Sequence, residues 1–337
     1  MAFTKRPTDD SDSVHSYIHM INLIEIFLII GGIATLILLF IIKPDFSVSQ
    51  KEKSKLIGVT YMTMNNDFYE IVNEQISHRI EAQGDRVVLR DPAMDASRQQ
   101  TQIEEMLEMG IDALVLTPVN AASLTDTLRK AKNLGIKIVV VDTELEDPLI
   151  ADATIISDNY GAGQIIGNYH LMNHPNGSKV VVMTHEEAIS GRERVKGFID
   201  TIKKDEKTEI VGELPCEGQY DLAMLNLGKF IESGKEFDGV FCLNDFSASG
   251  AASALEENDM LGIVELYGVD ASPSAKRLIS EGKMTASAAQ FPTRLGTKAA
   301  DALYDLLEKN PTERHVIVPI QLVTSRNISI FTIDRWQ

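Results

Sequence analysis

The feature that most constrains this chain is a regular alternation of short apolar runs with helical segments from residue 55 onward. The runs are continuously apolar, which is typical of strands buried on both faces of a parallel sheet. The strand candidates are Leu56–Thr60, Val87–Leu89, Ala113–Leu116, Ile136–Val141, Val180–Met183, Ile210–Gly212, Gly239–Leu243, Ile263–Tyr267 and Met284–Ala289. Strand–helix alternation of this kind predicts right-handed βαβ units. These strands are too many for one small domain. We therefore expect an α/β fold with two lobes, each built around a doubly wound parallel sheet.

The charge of the chain argues against a nucleic-acid partner. The sequence has 32 Lys and Arg residues against 49 Asp and Glu residues, which gives a formal net charge of −17. Phosphate binding depends on clustered Lys and Arg, so an acidic surface is better explained by solubility. The two cysteines, Cys216 and Cys242, are too few for a disulfide framework.

An apolar segment near the N-terminus predicts a membrane-spanning helix. Ile26–Ile42 carries no charge, and as a helix it would be about 26 Å long. We expect a tail over residues 1–20, a retained transmembrane anchor over 21–42 and a polar linker over 43–54. The alternative is a signal peptide, because Ser47-Val48-Ser49 offers a small-residue cleavage site.

The residues that flank the apolar segment bear on the type and orientation of the anchor. No cysteine follows the segment before Cys216, which excludes a lipid anchor on a nearby cysteine. Lys5 and Arg6 precede the segment, and several lysines from Lys43 onward follow it, so the positive-inside rule does not favour an outside C-terminal domain. Large domains translocate largely regardless of charge. We place the lobes outside the cytoplasm because the predicted function requires it.

Polar side chains follow the predicted strands at the positions where a ligand site is expected. Ligands of open parallel sheets bind beyond the carboxyl ends of the strands. Asp142, Asp270 and Gln290 come directly after the runs 136–141, 263–269 and 284–289, and Asn66 and Asn244 follow two others. Carboxylate, amide and guanidinium groups satisfy sugar hydroxyls, which both donate and accept. Each Asp or Asn taken alone is equally well explained as a helix N-cap.

An ordered set of short motifs resembles the ribose-binding protein family over residues 55–325. The motifs are Tyr61–Tyr69, Val141-Asp142, Ser190–Phe198, Phe241–Asp245, Tyr267–Asp270 and Ala288–Pro292. The resemblance implies a type I periplasmic binding fold with three crossovers between lobes, near Ser157-Asp158, Gln290-Phe291 and Pro319-Ile320. The implied N-terminal lobe is 55–157 plus 291–319, and the C-terminal lobe is 158–290 plus 320–337.

The resemblance also implies a set of ligand-binding residues. Carried over position by position, they are Asn66, Phe68, Tyr69, Asp142, Thr143, Arg194, Tyr220, Asn244, Asp270 and Gln290. Three positions depart from ribose binders: Thr143 stands where an arginine is usual, Val269 replaces an aromatic residue, and Met62 replaces a small polar one. The resemblance therefore supports a site for a pentose or related monosaccharide, without supporting ribose itself. It implies no cofactor and no metal.

Other patterns in the sequence are better explained by structure than by a separate function. Gly161–Gly167 has the wrong spacing for a dinucleotide fingerprint, so we expect helix packing there. His170 and His174 share a helix face without a zincin motif, which predicts a surface pair. The amide-rich surroundings of Asp142 and Asp270 favour binding of an intact ligand over glycosidase chemistry, so we expect no enzyme. A lac-repressor-type regulator would need a basic DNA-binding head, which the apolar N-terminal segment does not provide.

Two functions remain open from the sequence. The first is the substrate-binding component of a sugar ABC importer, whose partner is a membrane permease. The second is a membrane-anchored sugar co-receptor that signals through a histidine kinase of a two-component system, and it resembles the xylose-binding sensors of clostridia. Residues 1–20 are expected to hold no output domain, so any signal would pass through the partner. We favour the importer because it is the commoner role of this fold.

Overall fold

The computed structural model describes the backbone of residues 11–41 and 54–337 and the side chains of residues 16–38 and 54–337. The chain divides into two compact units, Met1–Lys53 and Ser54–Gln337. Almost all of the predicted linker and half of the predicted tail lie outside the described residues.

The first unit contains one long helix, α1, over Ser11–Ile41. Its segment Ser16–Leu38 is long and apolar enough to cross a membrane, with a mean hydropathy of 2.4. A signal sequence near an N-terminus satisfies the same criteria.

The second unit is built from two six-stranded sheets, and each sheet forms the centre of one lobe. The strands of the first lobe are β1 (Leu56–Thr60), β2 (Arg86–Arg90), β3 (Ala113–Leu116), β4 (Lys137–Asp142), β5 (Ala153–Ser157) and β11 (His315–Val318). Its helices are α2 (Asp67–Ala82), α3 (Ala96–Glu108), α4 (Thr125–Asn133) and α10 (Pro292–Glu308). The strands lie in the order β11-β5-β4-β3-β1-β2, and all of them are parallel.

The second lobe repeats this plan with one reversed strand. Its strands are β6 (Lys179–Thr184), β7 (Glu209–Pro215), β8 (Gly239–Phe241), β9 (Glu265–Asp270), β10 (Ala286–Ala289) and β12 (Gln321–Thr324). Its helices are α5 (Asn159–Asn173), α6 (Ile189–Ile202), α7 (Tyr220–Glu232), α8 (Asp245–Glu257), α9 (Pro273–Ser280) and a 3-10 turn over Ile328–Ile330. The order is β12-β10-β9-β8-β6-β7, and only the edge strand β12 is antiparallel to its neighbour.

The chain passes between the lobes three times. It leaves the first sheet after β5, returns after β10 through α10, and leaves again between β11 and β12. The predicted fold, two doubly wound lobes joined by three crossovers, is therefore confirmed.

Aliphatic residues fill both faces of each sheet. In the first lobe, Ile57 and Val59 pack with α2 and α10, while Leu114 and Ile138 pack on the opposite face with α3 and α4. Ile103 of α3 is fully buried there. Burial of this kind contributes about 25 cal/mol for each Å² of apolar surface removed from water. This packing holds the carboxyl ends of the strands in place, and polar residues such as Asp142 and Asp270 lie at those ends.

Candidate functional site

The two lobes bring Asp142 and Arg194 together across the cleft. Asp142 ends β4 of the first lobe, and Arg194 lies on α6 of the second. Asp142 Oδ1 stands 3.9 Å from Arg194 Nη2, and both side chains are almost fully buried. A carboxylate and a guanidinium buried at this separation place the lobes in a closed arrangement around the site.

The second lobe holds Arg194 rigidly. Its Nε donates to Asn159 Oδ1 at 2.8 Å, and its Nη1 donates to the carbonyl of Leu243 at 3.1 Å. Helix α5 approaches α6 very closely, because a Cβ on Gly163 would lie only 2.0 Å from the carbonyl oxygen of Arg194. The prediction of helix packing is therefore confirmed for Gly163 and Gly167, which both face α6, whereas Gly161 faces the side chain of its own N-cap residue Asp158. Of the other approaches of the guanidinium, Nη2 lies nearest Asp142 and Nη1 also lies near Asp270.

Asp142 presents an unused acceptor to the cleft. Its backbone adopts a φ of 74°, a left-handed conformation that is uncommon for a residue other than glycine. Its Oδ2 accepts a hydrogen bond of 3.0 Å from the Tyr69 hydroxyl, whereas its buried Oδ1 has no hydrogen-bond partner among the described residues. Burial raises the pKa of Asp142, while the charge of Arg194 and the Tyr69 bond oppose that rise. A buried acceptor without a partner is costly unless a ligand supplies a donor.

Asp270 belongs to a second buried carboxylate group. Gln290 Nε2 donates to Asp270 Oδ1 at 2.6 Å, and the same Oδ1 lies 3.8 Å from Arg194 Nη1. Burial raises the pKa of Asp270 to about 6, although Arg194 and the Gln290 bond oppose the rise. Asp245 lies next to it, and burial and the charge of Asp270 raise the pKa of Asp245 well above its usual range. Arg194 therefore lies close to two buried carboxyl groups, those of Asp142 and Asp270. Gln290 Oε1 is a further buried acceptor without a partner among the described residues.

A cavity of about 40 Å³ lies between the lobes beside Asp142 and Arg194. Predicted residues that line it are Asn66, Tyr69, Asp142, Arg194 and Asn244. The volume holds roughly three water molecules, so a monosaccharide enters only when the lobes open. Two larger hollows, of about 290 and 560 Å³, adjoin Tyr220, and the predicted residues Asn66 and Asp270 also line the first of them. We assign the site to the small cavity because there both lobes contribute buried polar groups.

The other predicted residues have different positions. Asn66 and Asn244 line the cavity. Each is also a helix N-cap, Asn66 of α2 and Asn244 of α8, as is common for an asparagine after a strand. Phe68 and Thr143 do not line the cavity: Phe68 packs against Tyr69, and Thr143 Oγ1 accepts a bond of 2.9 Å from the backbone of Ser190 in the opposite lobe. Tyr220 faces the outer hollows, and its hydroxyl lies 2.7 Å from Ser253 Oγ.

Sequence reasoning missed a contribution from the C-terminal segment. Gln337 Nε2 donates to the carbonyls of Asp270 and Gln290, at 2.7 and 2.6 Å. The buried ammonium of Lys276 donates to the carbonyls of Thr332 and Arg335 and holds this segment on the second lobe. No strand end or helical period marks this segment, so the sequence offered no signal. His185 is different: it lines the cavity directly after β6, and the strand-end rule would have found it.

One prediction about the histidines is wrong. His170 and His174 were expected to form a surface pair, but His170 is fully buried and only His174 is partly exposed. His170 lies on the buried side of α5, where its ring packs between the rings of Phe198 and Tyr267.

Comparison with known proteins identifies the family of this chain. Residues 57–311 match the periplasmic binding protein domain. The ribose import binding protein of Bacillus subtilis is 25% identical over 84% of this chain and 91% of its own length. The D-xylose-binding periplasmic protein of Haemophilus influenzae is 27% identical over 77% of this chain and 80% of its own.

A solved structure agrees with these sequence relatives. An ABC transporter solute-binding protein from Agrobacterium vitis with bound D-fucose superposes with a TM-score of 0.77 at 25% identity, covering 81% of this chain and 96% of the other. These relatives are binding proteins rather than enzymes, as expected from the site. With its two closed lobes and its matched domain, the chain belongs to the periplasmic binding protein family.

Proposed function

We propose that the chain captures a pentose or related monosaccharide between its lobes as the substrate-binding component of a sugar ABC importer. The observation that carries this proposal is the buried, unpartnered Oδ1 of Asp142 beside Arg194 in the interlobe cavity. A sugar hydroxyl donates to the carboxylate and accepts from the guanidinium in one contact. The ribose- and xylose-binding relatives support a five-carbon ligand.

The ligand class is tested by calorimetry on the purified chain with pentoses, hexoses and polyols, after a thermal-shift screen. We expect at least one pentose or polyol to bind with a clear preference over amino acids of similar size. Saturable binding of an amino acid, with no response to any sugar, would contradict the proposal.

We further propose that Ser16–Leu38 is a retained anchor that spans the membrane once, with the lobes outside the cytoplasm. Support comes from the length of the apolar helix and from the lack of a cysteine near it. The chain should stay with membranes after carbonate washing, and protease added to intact cells should remove the lobes. A soluble form that begins near Gln50 would identify a signal peptide instead.

One feature of the helix favours the sensor role as a second candidate. Glu25 lies within the apolar span, and ionisable residues there commonly face a protein partner. A photocrosslinker placed at position 25 distinguishes the roles. Capture of a permease supports the importer, capture of a histidine kinase supports the sensor, and capture of lipid alone indicates that Glu25 lies at the membrane interface.

A further inference from the structure

The second lobe carries a cluster of two histidines and one glutamate at the end of the sheet opposite the cleft. His170 and His174 lie one turn apart at the end of α5, and Glu265 begins β9. One ligand atom from each residue lies within 4.8 Å of the other two. Because β9 runs from Glu265 to Asp270, the cluster is about 17 Å from the cleft, at roughly 3.3 Å per residue.

The separations suit a small coordinated ion. His174 Nε2 is 2.8 Å from Glu265 Oε2, and His170 Nδ1 is 3.5 Å from the same oxygen. Ligand atoms about 2.0–2.1 Å from a tetrahedral zinc ion lie about 3.4 Å from each other. The two separations from Glu265 Oε2 therefore lie within about 0.6 Å of the value for a shared ion.

Neighbouring groups already orient these side chains. His170 Nε2 lies 2.7 Å from Ser178 Oγ, so the Nε2 proton can be held there while Nδ1 faces the cluster. Metal-binding histidines usually donate their other ring N–H in this way. Asn173 Nδ2 donates to Glu265 Oε1 at 3.3 Å, and the Tyr267 hydroxyl donates to Oε2. The Tyr267 hydroxyl oxygen also lies 3.2 Å from His170 Nδ1. A bound metal ion would replace this hydroxyl as the partner of Nδ1.

We propose that this cluster binds one divalent transition-metal ion through His170 Nδ1, His174 Nε2 and a Glu265 carboxylate oxygen, with water in the fourth position. Two imidazoles and one carboxylate suit Zn²⁺, whereas Mg²⁺ and Ca²⁺ prefer oxygen ligands. The spacing of four residues puts both rings on one helix face. The side chains of His174 and Glu265 keep 22% and 24% of their surface exposed, so an ion can reach the cluster.

Such an ion would tie the end of α5 to the start of β9. Helix α5 also holds Arg194 through Asn159 and Gly163. The metal therefore stabilises the lobe that positions the guanidinium without contacting the cleft.

The test is calorimetric titration of zinc chloride into the untagged full chain in detergent. We expect one zinc per chain and a higher melting temperature with zinc, but no such rise with magnesium or calcium. His174→Gln and Glu265→Gln should each weaken zinc binding at least about tenfold. The matched control is His315→Gln: His315 also pairs with a glutamate, Glu144, at 2.9 Å, but within residues 54–337 that pair has no third ligand.

A second variant separates a metal site from a simple hydrogen-bonded cluster. Ser178→Ala keeps all three ligands and should weaken zinc binding about 10- to 100-fold, because the orienting partner of His170 is lost. Sugar binding by each variant, measured without metal, reports whether the lobes are intact. The proposal is overturned if His174→Gln and Glu265→Gln bind zinc as tightly as the parent, or if His315→Gln alone abolishes binding.

Discussion

The ring of Trp336 lies edge-on against the ring of Phe68, with their centroids 5.8 Å apart. Phe68 belongs to the first lobe, whereas the adjoining Gln337 bonds to Asp270 and Gln290 of the second. The C-terminal segment therefore connects both lobes beside the cleft.

Trp336→Ala should favour the open form and weaken sugar binding about 2- to 12-fold, since an aromatic pair contributes about 0.5–1.5 kcal/mol. Calorimetry with the best sugar measures this, and Ile330→Ala, an exposed change in the same segment, is the control.

Asp142 and Arg194 should account for much of the ligand affinity. A hydrogen bond to a charged group contributes about 1.5–3 kcal/mol, so Asp142→Ala and Arg194→Ala should each weaken binding about ten- to more than a hundredfold. The exposed Arg129→Ala, whose partner Asp147 is in the same lobe, should bind normally. Parent-like affinity in both cleft variants would place the site elsewhere.

Thr143 provides a contact that exists only when the lobes are closed. Its hydroxyl accepts the backbone N–H of Ser190 from the opposite lobe, and that N–H would be buried without a partner in Thr143→Val. An unsatisfied buried donor costs about 1–3 kcal/mol, so sugar binding should weaken about 5- to 150-fold. Thr201→Val removes a buried hydroxyl that bonds within α6 and should leave affinity near that of the parent. Equal losses in the two variants would count against a role in closure.

Gly163 allows the close approach of α5 and α6 that positions Arg194. Gly163→Ala would place a methyl group 2.0 Å from the Arg194 carbonyl, so we expect a lower melting temperature and loss of sugar binding. Gly228→Ala on α7 meets open space and should raise stability by up to about 1 kcal/mol. If Gly163→Ala behaves like Gly228→Ala in urea unfolding, α5 is not packed as described.

Acid should stabilise the closed, sugar-free protein through Asp270. The pKa of Asp270 is raised to about 6 by burial, so the folded state holds this proton more tightly than the unfolded chain. That contribution is complete below about pH 4 and is lost as the pH rises through about 6. Asp270→Asn should flatten the change in melting temperature between about pH 5 and 7, whereas the fully exposed Asp126→Asn should not. A parent that gains stability throughout this range as the pH rises would contradict the assignment.

The sequence predicted the two sheets well because most strands are uninterrupted apolar runs. Strands β5, β11 and β12 were missing from the predicted set; the latter two are short edge strands that carry polar residues such as His315 and Gln321. The strand-end rule found Asp142 and Asp270, since parallel topology alone brings their ends to one edge.

Other parts of the site depend on contacts that no local pattern encodes. Thr143 was expected on the basis of family resemblance, but its partner Ser190 is in the other lobe. Glu265 is 91 residues from His174, so the histidine pair gave no indication of a third ligand. Trp336 and Gln337 reach the cleft through a segment without helix or strand.

The burial of the interlobe site by both lobes determines the kinetics of exchange. A sugar bound between Asp142 of one lobe and Arg194 of the other leaves only when the lobes separate, so the frequency of opening sets the upper limit on its release rate. Contacts made only after closure, such as those of Asp142 and Arg194, lengthen the residence time and hardly affect the encounter rate. Sugars that differ in those contacts should therefore share similar association rates and differ mainly in how long each stays bound.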